Sequence, residues 1–121
     1  MPQEKSYKKH SQKSVKQHFI KLLEIDITAD ARTGKTYTVP FACDIIETIV
    51  RAEATSASGA VTIWDASAAI TDTMTFAVDG SQDRSASVDK TRGKLKAGQV
   101  ISAKTLKATD RGKVSIYVQP V

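Results

Sequence analysis

The sequence has few or none of the residues that secreted proteins use for disulfides and N-linked glycosylation, and few of the cysteines and histidines that many metalloproteins use as metal ligands. It contains no asparagine, so it offers no acceptor for N-linked glycosylation. Its one cysteine, Cys43, can form neither an intramolecular disulfide nor a multi-cysteine zinc site. Cys43 stands in the apolar stretch 41–43, where we expect a buried and unreactive thiol. These features predict a protein made in a reducing cytoplasm and not exported.

Histidine and long apolar runs are equally scarce. The two histidines, His10 and His18, lie in the polar first 18 residues without a carboxylate or cysteine at ligand spacing, so we expect no metal site. The rest of the chain has no histidine, which excludes a Ser-His-Asp or Cys-His site there. No apolar run reaches the roughly 18 residues of a membrane helix, and no apolar stretch follows the early lysines as in a secretory signal. We therefore predict no enzyme, no cofactor and no membrane association.

Three short motifs resemble chemical sites, but an ordinary role is the better interpretation of each. Gly34-Lys35-Thr36 is similar to the end of a phosphate-binding loop, yet Ala29 stands where that loop needs glycine. Residues 79–83 supply too few oxygens for calcium. Glu24 and Asp26 alternate along one strand face, as two solvated carboxylates also do. We expect a β-turn, a hairpin loop and two surface acids.

The net charge of +5 is distributed unevenly along the chain. Residues 1–18 hold five lysines and one acid, and residues 84–121 hold nine bases and two acids. Residues 36–83 hold one base and seven acids. The acidic middle and the basic last third could pair within a chain or between copies, or form two solvated faces of opposite sign.

The apolar pattern changes at about residue 18, which predicts a basic N-terminal arm over 1–18 and a β domain over 19–121. The spacing of Val15, Phe19 and Leu22 also fits a helix over 16–23. Strict alternation follows through Leu23, Ile25 and Ile27, as in a half-buried strand. The arm is therefore expected to be extended or partly helical.

Similar alternation recurs in short segments separated by Gly-containing turns. We predict that these side chains point inward: Ile46, Val50, Ala52 and Ala54; Val61 and Ile63; Ile70, Met74, Phe76 and Val78; Val114, Ile116 and Val118. About eight short strands result, which predicts an all-β fold, an antiparallel β-sandwich or a jelly-roll-like barrel. Aromatic residues make up 6% of the chain, so the core looks thin, and association between copies would help to stabilise it.

Segments 61–64, 69–74, 95–101 and 110–120 form an ordered series. They place a short strand, an AITD turn, an AG-x-x-I turn, a glycine hairpin and a final strand in succession. In this order the chain resembles small structural proteins of tailed bacteriophages, namely capsid decoration, cement or head-fibre proteins. Gln99 departs from the pattern, because such turns often carry aspartate there.

The resemblance implies an accessory protein that binds the outer capsid surface of a virion and stabilises the shell. Its partner would be the major capsid protein of the same virus, and a homotrimer is the favoured assembly. The arm would order on the capsid and make the contact, through Lys5, Tyr7, Lys8, Lys9, Lys13, Lys16 and Phe19.

Two alternatives stay open. The basic arm could make this a small nucleic-acid-binding β domain. A receptor- or glycan-binding head-fibre module is the other alternative. There Trp64, beside Asp65 at a strand end, could line an oligomer interface or stack on a sugar.

Overall fold

The computed structural model describes residues 20–53, 59–76 and 81–121, and these residues form two antiparallel β-sheets. Within this part of the chain there is no helix, and the strands number nine. In chain order they are β1 (Lys21–Ile27), β2 (Lys35–Thr38), β3 (Cys43–Ala52), β4 (Gly59–Trp64), β5 (Met74–Phe76), β6 (Gln82–Arg84), β7 (Lys94–Leu95), β8 (Val100–Thr105) and β9 (Gly112–Pro120). The predicted all-β sandwich is confirmed.

The larger sheet has the order β1-β9-β3-β6, and β7 pairs with the beginning of β3. The smaller sheet has the order β2-β8-β4-β5. Both sheets bury one face against the other, because apolar and polar residues alternate along their strands. The inward positions predicted for β1, β4 and β9 are confirmed, since Ile25, Ile63 and Ile116 are among the buried residues there.

Cys43 is completely buried at the beginning of β3. Its removal from water raises the pKa of the thiol, with a smaller contribution from the carboxylate of Asp44. Both effects disfavour the reactive thiolate, as expected for an unreactive cysteine.

The predicted inward position of Ile46 is wrong, because β3 contains a β-bulge. The register with β9 shifts between Ile45 and Glu47, so one extra residue is accommodated there. Ile45 is buried and Ile46 is 48% exposed, whereas Val50 and Ala52 beyond the bulge are buried as predicted. The bulge therefore turns a large apolar side chain towards the outside.

Within residues 70–76, the described part of the predicted strand over 70–78, only β5 forms a strand. Ile70 and Thr71 are both buried, although strict alternation places them on opposite faces. The hydroxyl of Thr71 accepts a hydrogen bond from the backbone N–H of Ile63 at 3.1 Å. The Thr71 hydroxyl thus accepts the hydrogen bond that the carbonyl of a neighbouring strand would otherwise accept from Ile63 N–H. Val78 and Ala54 lie outside the described residues.

The helix that fits residues 16–23 does not form at its C-terminal end, since residues 21–23 belong to β1. These residues pair with β9, beginning with Lys21 opposite Val118. The remaining residues of that segment, 16–19, lie outside the described part of the chain. Pairing with a long central strand therefore decides the conformation of residues 21–23.

The strand directions define two ends of the sandwich. At one end β1, β3 and β8 begin and β2, β4 and β9 finish. We call it the arm end, because residue 20, which continues into the N-terminal arm, lies there. Hydrogen bonds from Val39 N–H to the Gln99 carbonyl and from Val121 N–H to the Ala42 carbonyl join its loops.

Candidate attachment surface

The exposed large hydrophobic side chains of the described residues are concentrated at the arm end. There are six of them: Ile20, Leu22, Ile46, Val100, Leu106 and Val121. All except Leu106 belong to strand ends or loops of the arm end, and Leu106 follows β8 at the opposite end. Scattered exposed hydrophobics are normal on a protein surface, but their accumulation at one end is typical of an interaction surface.

Three of these residues lie around the edge and outer face of the larger sheet. Leu22 in β1 stands opposite Tyr117 in β9, and Tyr117 stands opposite Glu47 in β3. The bulge residue Ile46 immediately precedes Glu47, so Leu22 and Ile46 flank Tyr117 on both sides. Ile20 is two residues before Leu22. We call Ile20, Leu22, Ile46 and Tyr117 the arm-end patch.

A basic loop borders a second part of the arm end. An open cleft of about 860 Å³ is lined by residues 65, 89, 91, 92, 94 and 96–99. The side chains of Lys94 and Lys96 lie on its wall, and neither is in an ion pair with a described residue. Asp89 Oδ1 accepts hydrogen bonds from the backbone N–H groups of Thr91 and Arg92, which fixes the turn before β7.

Arg92 is anchored to the body and does not project freely into the cleft. Its Nη1 lies 2.9 Å from Oδ2 of Asp65, at the end of β4. Asp65 also accepts backbone hydrogen bonds from Ser67 and Ala68 at 2.7 and 2.8 Å. These two N–H groups, with a smaller contribution from Arg92, lower the pKa of Asp65 from 3.8 to about 2. Arg92 Nε also lies 3.8 Å from Oδ2 of Asp89, so Arg92 is shared between two carboxylates. The cations of the cleft that form no ion pair with a described residue are Lys94 and Lys96.

Asp65→Asn is expected to make the protein less sensitive to acid between pH 4 and pH 2. Because the folded-state pKa of Asp65 is lowered, its carboxylate stabilises the fold above about pH 4, and this stability is lost as the pH falls towards 2. We expect the variant to lose about 1 kcal/mol at pH 7, measured by urea unfolding, and to show a flatter pH dependence. Asp44→Asn is the control, since the carboxylate of Asp44 forms no hydrogen bond or ion pair with a described residue. Equal pH dependence of D65N and the wild type would contradict the assignment.

Trp64 is half-buried on the outer face of the smaller sheet. The ammonium group of Lys104 lies 4.0 Å from the centroid of its ring, a cation–π contact. Ser102 and Ala69 are its strand and bridge partners. A sugar that stacks on Trp64 must therefore displace Lys104 or use the other face of the ring.

The predicted contact residues of the arm, Lys5, Tyr7, Lys8, Lys9, Lys13, Lys16 and Phe19, lie outside the described residues. At the arm end the structure places other residues instead, namely the arm-end patch and, in a separate cleft, Lys94 and Lys96. The sequence carried one signal for them, because the turn Thr91-Arg92-Gly93-Lys94 is visibly basic. Nothing in the sequence indicated that Ile46 is exposed, since its exposure depends on the bulge.

Described residues of two other motifs have structural roles, while residues 79 and 80 of the segment 79–83 lie outside the described part of the chain. Gly34 occupies a turn with a φ of 111°, and its N–H donates to the Ala31 carbonyl at 2.9 Å. The Asp83 carboxylate accepts hydrogen bonds from the backbone and the hydroxyl of Thr75. No group of three or more potential metal ligands occurs among the described residues. They also include no apolar helix of membrane-spanning length.

No protein-family model matches the sequence, and no curated protein sequence matches it.

Proposed function

We propose that this protein is an accessory structural protein of a virus particle that binds the outer capsid surface and stabilises the shell. One observation carries the proposal. The arm end combines five of the six exposed large hydrophobics, the basic loop and the point where the lysine-rich arm joins the body. The resemblance of the turn sequences to phage decoration and cement proteins supplies the class of partner, the major capsid protein of the same virus.

The two kinds of residue have different tasks in this mechanism. Burial of Leu22, Ile46 and Tyr117 would supply most of the affinity, at about 25 cal/mol per Å² of apolar surface. Lys94 and Lys96, together with the arm lysines, would speed the encounter with an acidic capsid surface and select its orientation. A homotrimer would bind neighbouring capsid subunits at once, so that modest contacts combine into strong retention.

Removal of residues 1–18 is expected to reduce co-sedimentation with empty shells of the parent virus. The deletion removes five lysines and a segment that can reach roughly 60 Å when extended. A variant with Gln in place of Lys5, Lys8, Lys9, Lys13 and Lys16 separates charge from chain length. We expect it to bind less well mainly at low salt, because exposed charges are screened at high salt. Undiminished binding of the deletion variant would exclude the arm as an anchor.

Nonspecific nucleic-acid binding is the second candidate function. It is favoured by Lys94 and Lys96, which form no ion pair with a described residue and lie at the same end of the sandwich as the beginning of β1. It makes a distinct quantitative prediction. If about five phosphates are neutralised, the logarithm of the DNA-binding constant falls with a slope near −4 to −5 against the logarithm of the salt concentration. Filter-binding or anisotropy titrations at several salt concentrations measure this slope. A weak slope with retained shell binding favours capsid attachment.

A further inference from the structure

A slot opens between β1 and β2, where the edges of the two sheets lie side by side. It has a volume of about 340 Å³ and is lined by residues 24–26, 28 and 35–37. Buried Ile25 and half-buried Tyr37 belong to its floor, since both face the core. The turn over 29–34 joins β1 to β2, so the slot is closed at that end and open at the arm end.

We infer that this slot binds the N-terminal arm of a second copy of the protein. The inference goes beyond capsid attachment and does not rest on it, because it concerns the protein in solution. It rests on the backbone edges of the slot, its charge and the sequence of the arm.

The backbone of the slot is suited to receive a strand. Among the described residues β1 pairs only with β9, and β2 pairs only with β8. Alternate N–H and C=O groups of such edge strands point away from their partner and can pair with an added chain. An extended peptide bound there would continue one of the sheets, as in β-strand addition.

The charge of the slot selects a basic peptide. Glu24 and Asp26 lie on the β1 wall, and neither is in an ion pair with a described residue. Lys35 on the β2 wall offsets only one of these charges. Residues 1–18 carry five lysines and one acid, so the arm has the opposite sign. Lys9 and Lys13 would share one face of a bound strand, where their long side chains could reach the two carboxylates.

The sequence of the arm favours a second copy over the same chain. To lie along β1, the chain's own arm must reverse direction immediately before Ile20, in a tight hairpin. Two-residue hairpin turns favour residues that adopt positive φ, chiefly Gly, Asn and Asp. None of these occurs from residue 3 to residue 25. We therefore assign the bound arm to a neighbouring copy, whose arm can enter the slot without such a hairpin.

The test measures the mass of the protein by light scattering after size-exclusion chromatography. We expect the full-length protein to form an oligomer, and both the deletion of residues 1–18 and E24K/D26K to weaken its association at least about tenfold. D44K/E53K changes the charge equally outside the slot and should leave the mass unchanged. Combining E24K/D26K with K9E/K13E, whose two glutamates share one face of a bound strand, places opposite charges together again and should restore the oligomer.

A cross-link identifies which copy supplies the arm. Ser14→Cys and Thr28→Cys, which leave both carboxylates and the arm lysines in place, are introduced into separate chains that are then mixed and oxidised. The buried Cys43 stays unreactive. A disulfide between the two chains supports the inference. Three results would overturn the inference. The full-length protein could be monomeric, or its oligomer could survive the deletion or E24K/D26K unchanged. The third is a disulfide that forms only when both cysteines are in the same chain. The test contains no capsid shells, so a result that contradicts the arm–slot contact does not contradict capsid attachment.

Discussion

Replacement of Gly59 by alanine is expected to destabilise the protein by at least about 3 kcal/mol, which is a large part of the stability of a small domain. A Cβ atom at Gly59 would overlap the carboxylate of Asp110. Asp110 is completely buried, and its Oδ2 accepts hydrogen bonds from the backbone N–H groups of Ala60 and Lys107. The carboxylate cannot move aside without leaving these donors unpaired. Urea unfolding followed by circular dichroism measures the loss.

Gly98→Ala is the matched control for this substitution. Gly98 has a φ of 84°, but a Cβ atom there would meet no other atom within 4 Å. We expect a cost of about 1 kcal/mol from backbone conformation alone. G59A/D110A should recover part of the stability that G59A loses, since the smaller side chain removes the overlap. If G59A cost no more than G98A, the close packing of Asp110 against Gly59 would be disproved.

The fold could be predicted from the sequence where one strand face is buried and the other is exposed. Residues 23–27 and 114–118 alternate strictly, and each strand buries the predicted side chains against the opposite sheet. In such strands a shift of one residue would expose the whole apolar set, so the pattern determines the orientation. The tight turns, Gly34 among them, were similarly predictable from their composition.

Other positions depend on partners that the sequence does not reveal. The bulge at Ile46 arises from the register of β3 against β9, and no turn residue marks it. The burial of Thr71 depends on a hydrogen bond to Ile63, a residue in another strand. Each feature involves pairing with another segment of the chain, eight residues away for Thr71 and more than 60 for Ile46, whereas periodicity reports only the preference within one segment. The apolar part of the candidate surface could not be predicted for the same reason, since Ile46 was expected inside.

Exchange of both Leu22 and Ile46 for glutamate is expected to weaken binding to capsid shells roughly 30-fold or more. Each substitution places a charge where the proposed interface is apolar, and truncating a central contact residue commonly costs more than about 1 kcal/mol. The fold should be unaffected, because both side chains are about half exposed and point away from the core. Co-sedimentation at a series of shell concentrations measures the affinity, and urea unfolding verifies the stability.

Leu106→Glu provides the comparison that ties the loss to the arm end. Leu106 is 65% exposed, more than Leu22 or Ile46, but it lies at the opposite end of the sandwich. If the protein bound shells through nonspecific hydrophobic contacts, all of these substitutions would weaken the binding. Attachment through the arm-end patch predicts that L106E binds shells like the wild type, while L22E/I46E does not. Equal binding by both variants would show that the arm-end patch does not contact the shell. Attachment would then depend on the arm alone.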